Sequence, residues 1–225
     1  MYKTEAHLHT DEGSSCGKVP AAKMVQLYHE AGYTTLLIAD HFAKITVEWM
    51  GNPPWETVVK NYFKGYYAAL AEAEKYGMYV LPSPEFAFEG NPNHYLAVGA
   101  GPEFFLAHPE LPDLNVTELH ELLRENGLYL VQAHPYRKGQ KCVPDPENVD
   151  ALEVINGHIY NFNPDHEIRA REVAKQHHLG ISSGSDAHEV GGVGRTAVLS
   201  KTPITTVEEY IDCIFAEDVS LLGPN

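Results

Sequence analysis

The sequence predicts an α/β fold, a TIM-like (β/α)7 barrel formed as a single domain over residues 1–225. Three observations predict it. Short apolar runs alternate with longer stretches of helical spacing along the whole chain, the pattern of strands joined by helical crossovers in a mainly parallel sheet. About seven such units fit into 225 residues, which suits a barrel somewhat shorter than the eight-fold form of ~250 residues. No internal repeat, low-complexity tract or Gly/Ser linker divides the chain.

The elements follow in order. Residues 2–8 read as a first strand that ends at His7-Leu8-His9-Thr10, and a Gly/Ser loop runs from Asp11 to Lys18. Pro20 opens a helix to Glu30, with Met24, Val25, Leu27 and Tyr28 at helical spacing and Gly32 as its stop. Thr34 to Asp40 is a buried strand ending in His41. Trp55 to Tyr76 is one long helical pattern closed by Gly77. Met78 to Leu81 is a strand leading to Pro82 and Glu85, and His94 to Val98 is a short strand. Thr117 to Asn126 is helical, with Thr117 as N-cap and Gly127 as stop. Leu128 to Gln132 is a strand leading to His134-Pro135, and Ala151 to Ile155 another, ending at Asn156-Gly157. Asp165 to His178 is helical. Ile181 to Ser185 is a strand running into Asp186-Ala187-His188. Thr196 to Ser200 is the last strand and Val207 to Phe215 the last helix.

Composition excludes several classes of function. Sixteen Lys and Arg stand against 31 Asp and Glu, a formal net charge of −15. That argues against a protein tracking a nucleic-acid backbone, which needs Lys and Arg to neutralise phosphate, and against a basic membrane-surface module. The longest apolar run is six residues, 66–71, where a membrane helix needs roughly 20. The first five residues lack the regions of a signal peptide. Cys16, Cys142 and Cys213 are odd in number and far apart, which is no disulfide framework. A cytoplasmic location with reduced thiols is expected. Histidine is the unusual residue: 13 in this chain, against roughly five at ordinary usage. Imidazole is the commonest metal ligand.

Six of those histidines fall at strand termini. His7, His9, His41, His134 and His188 lie at or just past carboxyl ends, as do Glu85 and Asp186; His94 begins its strand. Imidazoles and carboxylates together suit zinc, manganese or iron. Residues two apart on a strand share a face, so His7 and His9 can converge on one ion and Asp186 and His188 on the same region. Strand alternation turns Asp40 away from that face, which makes it supporting or structural. The other seven histidines (His29, His108, His120, His158, His166, His177, His178) lie mostly in helical or loop stretches and read as solvated or structural.

His7-Leu8-His9-Thr10, Ala39-Asp40-His41, Pro84-Glu85-Phe86, Asn93-His94-Tyr95-Leu96, Ala133-His134-Pro135 and Ser185-Asp186-Ala187-His188, taken in order, resemble the motifs of the PHP (polymerase and histidinol phosphatase) family. The resemblance runs from residue 5 to about residue 195. It implies a distorted seven-stranded β/α barrel holding two or three divalent ions, zinc foremost, with manganese or iron as alternatives. By that resemblance His7, His9, Glu85 and Asp186 hold a first ion. Glu85 bridges to a second, held also by His94 and His134, and His41 and His188 hold a third. His7, His9, Glu85, Asp186 and His188 form the expected catalytic set. Cys16 departs from the pattern: it stands where the family usually places a histidine or aspartate before a glycine. Either it supplies a thiolate, which would favour zinc, or Asp11 or Glu12 reaches in, or the third ion is weakly held or absent.

Divalent ions lower the pKa of bound water toward neutrality and clamp phosphoryl oxygens. The expected activity is therefore a metal-dependent phosphoesterase, with metal-bound hydroxide attacking the phosphorus of a small phosphorylated metabolite. Arg195, in Gly191-Gly192-Val193-Gly194-Arg195, resembles the family's phosphate-binding arginine, and Arg137 is a second candidate; Lys18, Lys138 and Lys141 read as solvated surface. The alternatives are a nuclease or phosphodiesterase using the same cluster, a metal amidohydrolase, and a non-catalytic metal-binding regulatory domain.

Overall fold

A computed structural model of the chain describes residues 1–137, 139, 141–159 and 162–224. The first half contains β1 (Tyr2–Leu8), α1 (Ala21–Glu30), β2 (Thr35–Ile38), β3 (His41–Phe42), α2 (Lys44–Trp49), α3 (Trp55–Tyr62), α4 (Lys64–Ala73), β4 (Tyr79–Pro82), β5 (Glu85–Ala87) and β6 (His94–Val98). The second half contains α5 (Pro102–Ala107), α6 (Val116–Glu125), β7 (Tyr129–Ala133), β8 (Ala151–Asn156), α7 (Pro164–His177), β9 (Gly180–Gly184), β10 (Ala197–Ser200), α8 (Val207–Ile214) and β11 (Ser220–Leu222). Among the described residues no helix is long and apolar enough to cross a membrane.

The strands form two hydrogen-bonded sheets, in the orders β11-β10-β1-β2-β4 and β3-β5-β6-β7-β8-β9. They share strands in all but name. β2 bends at Ala39-Asp40 and continues as β3; β4 bends at Ser83-Pro84 and continues as β5. Ser83 N donates to Ile38 O at 2.9 Å and Glu85 N to Asp40 O at 3.0 Å, so the pair stays bonded across the bend. On the other side β1 meets β9's exit through a parallel bridge between Leu8 and Ala187. The expected α/β class holds; no closed sheet is found among the described residues, and the pairing is mixed rather than mainly parallel. β5, β6 and β7 pair antiparallel, as do β1, β10 and β11.

That antiparallel β6 explains a placement that otherwise looks misplaced. In a parallel sheet the carboxyl ends form one rim. A strand running the other way brings its first residue to that rim. His94 pairs with Ala87, and through β7 with Ala133, so it stands beside the exits that carry Glu85 and His134.

Two helical expectations are corrected. The stretch from Trp55 to Tyr76 breaks at Phe63, which ends α3 and begins α4, and a 3-10 turn finishes it at Glu74–Tyr76. The break lets the halves serve different cores. Val58, Val59 and Tyr62 pack with Phe42, Phe86 and Phe105, whereas Ala69 and Ala73 pack with Met24, Val25 and Tyr28. The N-cap of α6 is Asn115, not Thr117. Asn115 Oδ1 accepts from Glu118 N at 3.1 Å while Asn115 N donates to Glu118 Oε2 at 2.8 Å, a reciprocal capping box. Thr117 Oγ1 donates instead to Asn148 Oδ1. Asn and Glu three apart were the legible signal.

Candidate metal centre

The side chains of interest leave the strands at one rim. His7 lies in β1 and His9 just past it, with Ala6 and Leu8 buried in apolar clusters. His41 opens β3 opposite Glu85, which opens β5. His134 follows β7, and Asp186 and His188 follow β9. His134 (φ 32°) and Asp186 (φ 50°) both sit in the left-handed region, a cost that persists where the surroundings fix a functional position.

Glu85 is the hub. It is fully buried. Its Oε1 lies 3.1 Å from His94 Nδ1 and 3.0 Å from His134 Nε2. Its Oε2 lies 2.7 Å from His41 Nδ1, 3.5 Å from His9 Nε2 and 3.6 Å from His7 Nε2. Asp186 Oδ1 stands 3.3 Å from His9 Nε2, 3.7 Å from His7 Nε2 and 3.4 Å from His188 Nδ1. Among the described residues three overlapping ligand sets result, each with donor atoms within 4.8 Å of one another: His7, His9 and Glu85; His41, Glu85 and His94; and His9, His41 and His188.

The donor set fits divalent ions better than it fits itself. Glu85 Oε2 and Asp186 Oδ2 are buried and accept no hydrogen bond of good geometry, which costs free energy unless a cation takes the lone pairs. His7 Nε2 and His9 Nε2 are 3.1 Å apart. The proton on each ring can be placed from the partners. His7 Nδ1 faces Glu153 Oε1 at 2.9 Å, a carboxylate, so Nδ1 donates. Ser14 Oγ gives its one proton to Asp40 Oδ1 at 2.7 Å and therefore accepts from His9 Nδ1 at 3.3 Å. Without an ion, burial opposes the charged form of His7, but Glu153, Glu85 and Asp186 outweigh it and hold the His7 pKa well above its ordinary value; in the neutral rings that can ligate, both Nε2 atoms carry lone pairs pointed at each other. A shared positive charge relieves that repulsion.

The electrostatics are consistent with this balance. Burial works against the charged form of Glu85, but His41, His7 and His94 hold its pKa well below the carboxylate range. Burial likewise opposes ionisation of Asp186, and His7 and His9 outweigh it. Burial, His41 and His188 hold His9 well below its ordinary value. His41 is pushed the other way, to about 10: burial opposes this, and Glu85 and Cys16 exceed it. The Cys16 thiol drops to about 6, because hydrogen bonds from His188 and His41 overcome partial burial. The cysteine that departs from the PHP pattern therefore stands with the two histidines expected to share its ion.

The other expectations divide. Arg195 Nε donates to Gly157 O at 2.6 Å, which anchors it beside the β8 exit. Arg137 lines a cavity with His134, Glu153, Asn156 and His166. Lys18 pairs with Glu189 at 2.8 Å and Lys141 is exposed, while Lys138 lies outside the described residues. Several remaining histidines are structural, such as His120 on Asp150 at 3.1 Å and His108 on Glu110 at 2.9 Å. His158 is nearer than expected, its ring 5.7 Å from that of His188. Asp40 faces away as expected and clamps the loop through Thr10 and Ser14.

Glu153 and Ser14 were not read from the sequence. Ser14 sits in a loop that gives no spacing signal. Glu153 had one: it is a charged residue within the apolar run Ala151–Asn156, and a buried charge requires a partner.

Residues 165–217, from α7 to just past α8, match a family model described as PHP-associated. The whole chain also matches solved structures. A two-domain protein from Bacteroides vulgatus containing a predicted PHP-like metal-dependent phosphoesterase aligns over 99% of this chain and 65% of that one, with TM-score 0.72 and 16% identity. A protein from Bifidobacterium adolescentis, assigned as a metal-dependent phosphoesterase, aligns over 96% of this chain and 97% of that one, with TM-score 0.58 and 14% identity. The fold is that of PHP-like phosphoesterases. A third neighbour is a lesion-specific endonuclease from Pyrococcus furiosus, matched over 98% of this chain and 57% of that one, with TM-score 0.60 and 14% identity. The chain thus spans less than two thirds of the Bacteroides and Pyrococcus proteins, and at these identities the PHP likeness is one of fold. No curated protein matches in sequence.

Proposed function

We propose that the chain is a metal-dependent phosphoesterase that hydrolyses a small phosphorylated metabolite. The observation that carries the reading is Glu85, a buried carboxylate within 3.6 Å of nitrogens from five histidines on four different strands or strand exits. His7, His9, Glu85 and Asp186 would hold one ion; Glu85, His94 and His134 a second; His41, His188 and Cys16 a third. Two or three divalent ions, zinc foremost with manganese or iron as alternatives, would supply an activated water as nucleophile and neutralise charge on the phosphoryl oxygens.

The chain's own residues then have separable tasks. Arg195 is held through Nε to Gly157 O, which leaves its terminal nitrogens to bind phosphate; Arg137 flanks His134. Water or a nearby imidazole would protonate the leaving oxygen, and His158, beside His188 and outside the ligand set, is the candidate imidazole. The two sheets are read as one distorted seven-stranded ring closed between β1 and β9, forming one domain over residues 1–225; the bridge between Leu8 and Ala187 supports that closure. Three widely spaced cysteines support a cytoplasmic setting.

The test is turnover by the metal-reconstituted protein of p-nitrophenyl phosphate, bis-p-nitrophenyl phosphate and a short oligonucleotide at matched concentration. The monoester is expected to be fastest, with phosphate release abolished by chelation and restored by metal. Faster cleavage of the diester or the oligonucleotide replaces this reading with a nuclease; the net charge of −15 argues for the small substrate. Stoichiometric metal without turnover of any ester replaces it with a regulatory domain, and hydrolysis of a cyclic amide alone with an amidohydrolase.

A further inference from the structure

We propose that Glu153 is a positioning residue that holds two metal-site histidines at once, His7 through its ring and His134 through its backbone. The inference rests on the metal-centre reading and adds to it a residue outside the ligand set.

Glu153 is the third residue of β8 and is 1% exposed. A carboxylate so deeply buried needs partners that donate. It has three: His7 Nδ1 at 2.9 Å from Oε1, and His134 N at 2.7 Å and Asn156 Nδ2 at 2.9 Å from Oε2. The His7 contact fixes the tautomer. With the proton on Nδ1, Nε2 carries the lone pair, and Nε2 is the atom facing His9, Glu85 and Asp186. The His134 contact holds a backbone N–H at a residue whose φ is 32°, a conformation that needs outside support. It thereby fixes where the ring of His134 begins its reach to Glu85.

Oε1 accepts from one donor and Oε2 from two. In Glu153→Gln the amide offers one oxygen and one NH2. If the NH2 faces His134 N and Asn156 Nδ2, three donors confront one another. If it flips, it donates to His7 Nδ1 and forces the proton onto Nε2, where the ring can no longer ligate. β9 is also shaped to this contact. A Cβ on Gly184 would overlap both Glu153 Oε1 and His7 Cβ, so glycine there lets β9 close over the pair.

The experiment has two arms. In the unmutated protein, histidine ring 15N correlation spectra are expected to show His7 protonated on Nδ1; a bare Nδ1 overturns the proposal, and this arm needs no variant to fold. Titration with cobalt(II) alone, followed by its visible spectrum, is expected to show Glu153→Gln binding about 10- to 100-fold more weakly than the unmutated protein, with circular dichroism unchanged. Equal affinity overturns the positioning role while the metal centre stands. If the unmutated protein binds no cobalt(II), the metal-centre reading falls and this inference with it.

Discussion

Asp40 and Glu85 are buried carboxylates on neighbouring strand exits, joined by the hydrogen bond from Glu85 N to Asp40 O, and they are satisfied in opposite ways. Asp40 turns to the loop after β1. Its Oδ1 accepts from Thr10 N and Ser14 Oγ, both at 2.7 Å, and its Oδ2 accepts from Thr10 Oγ1 at 2.6 Å. Gly65 seals the arrangement, since a Cβ there would overlap Thr10 Oγ1. Glu85 turns to the rim, crowded by imidazole nitrogens, and its Oε2 meets His41 at 2.7 Å without a well-aligned hydrogen bond. The difference teaches how to separate a structural acid from a ligand when both are buried. The structural acid has its lone pairs matched by backbone and hydroxyl protons of the chain; the ligand is ringed by imidazoles, His94 and His134 on Oε1 and His41 on Oε2, which can turn their own lone pairs to a cation. Asp40 nevertheless serves the rim indirectly, because the proton Ser14 gives it decides which nitrogen of His9 remains open.

The sharpest way to break this comparison is Glu85→Gln. The amide keeps an oxygen for His94 and His134 and gives up the ion pair of Oε2 with the half-exposed His41, so the fold is expected to survive, while ester turnover falls by at least ~10³-fold, about 4 kcal/mol of barrier. Steady-state kinetics beside a thermal melt check both halves; unchanged turnover would remove Glu85 from the centre. Asp40→Ala is expected to do the reverse. It strands the donors of Thr10 and Ser14 in a buried setting at roughly 1–3 kcal/mol each, so urea unfolding of the metal-free protein is expected to lose about 4 kcal/mol. Turnover then falls mainly through the loosened Ser14. A stability loss below ~1 kcal/mol would mean that the loop does not depend on Asp40.

Chelation sharpens the contrast without a mutation. Only the rim should respond. With free metal at about 100 times Kd, binding stabilises the fold by ~2.7 kcal/mol, so removing it is expected to lower Tm in the unmutated protein and in Asp40→Ala alike. In Glu85→Gln the drop should be much smaller. Equal drops in all three variants would place the ions elsewhere.

The candidate ligands other than Cys16 were legible in the sequence because each sits at a strand terminus, where strand alternation fixes the face. His94 was legible as a residue but not as a position, since nothing in Asn93-His94-Tyr95-Leu96 says that the strand runs antiparallel; that is settled by pairing with β5 and β7. The break at Phe63 was hidden because both halves keep helical spacing, and only the separation of two apolar cores reveals it. Glu153 and Ser14 act through other residues. Their role depends on a partner far along the chain, His7 for one and Asp40 for the other, and spacing carries no record of such pairs.

The smallest expected effect concerns the proton on Asp40. Burial pushes its pKa up, and the hydrogen bonds from Thr10 and Ser14 only partly offset this, leaving it at about 6 against an ordinary 3.8. For an acid whose pKa is raised on folding, the folded state binds the proton more tightly than the unfolded one. The stability this contributes is complete below pH 3.8, declines as pH rises, and is gone above about 6. A shift of this size corresponds to at most ~3 kcal/mol, with the sign opposite to a carboxylate stabilised by a cation. Asp40→Asn keeps an acceptor for Thr10 N and Ser14 Oγ and cannot ionise. Urea unfolding of the metal-free protein between pH 4 and 6.5 should therefore show a shallower fall in the Asn variant than in the unmutated protein. Parallel curves would mean that Asp40 keeps an ordinary pKa when folded, and that the clamp, like the rim, is built around a fixed charge.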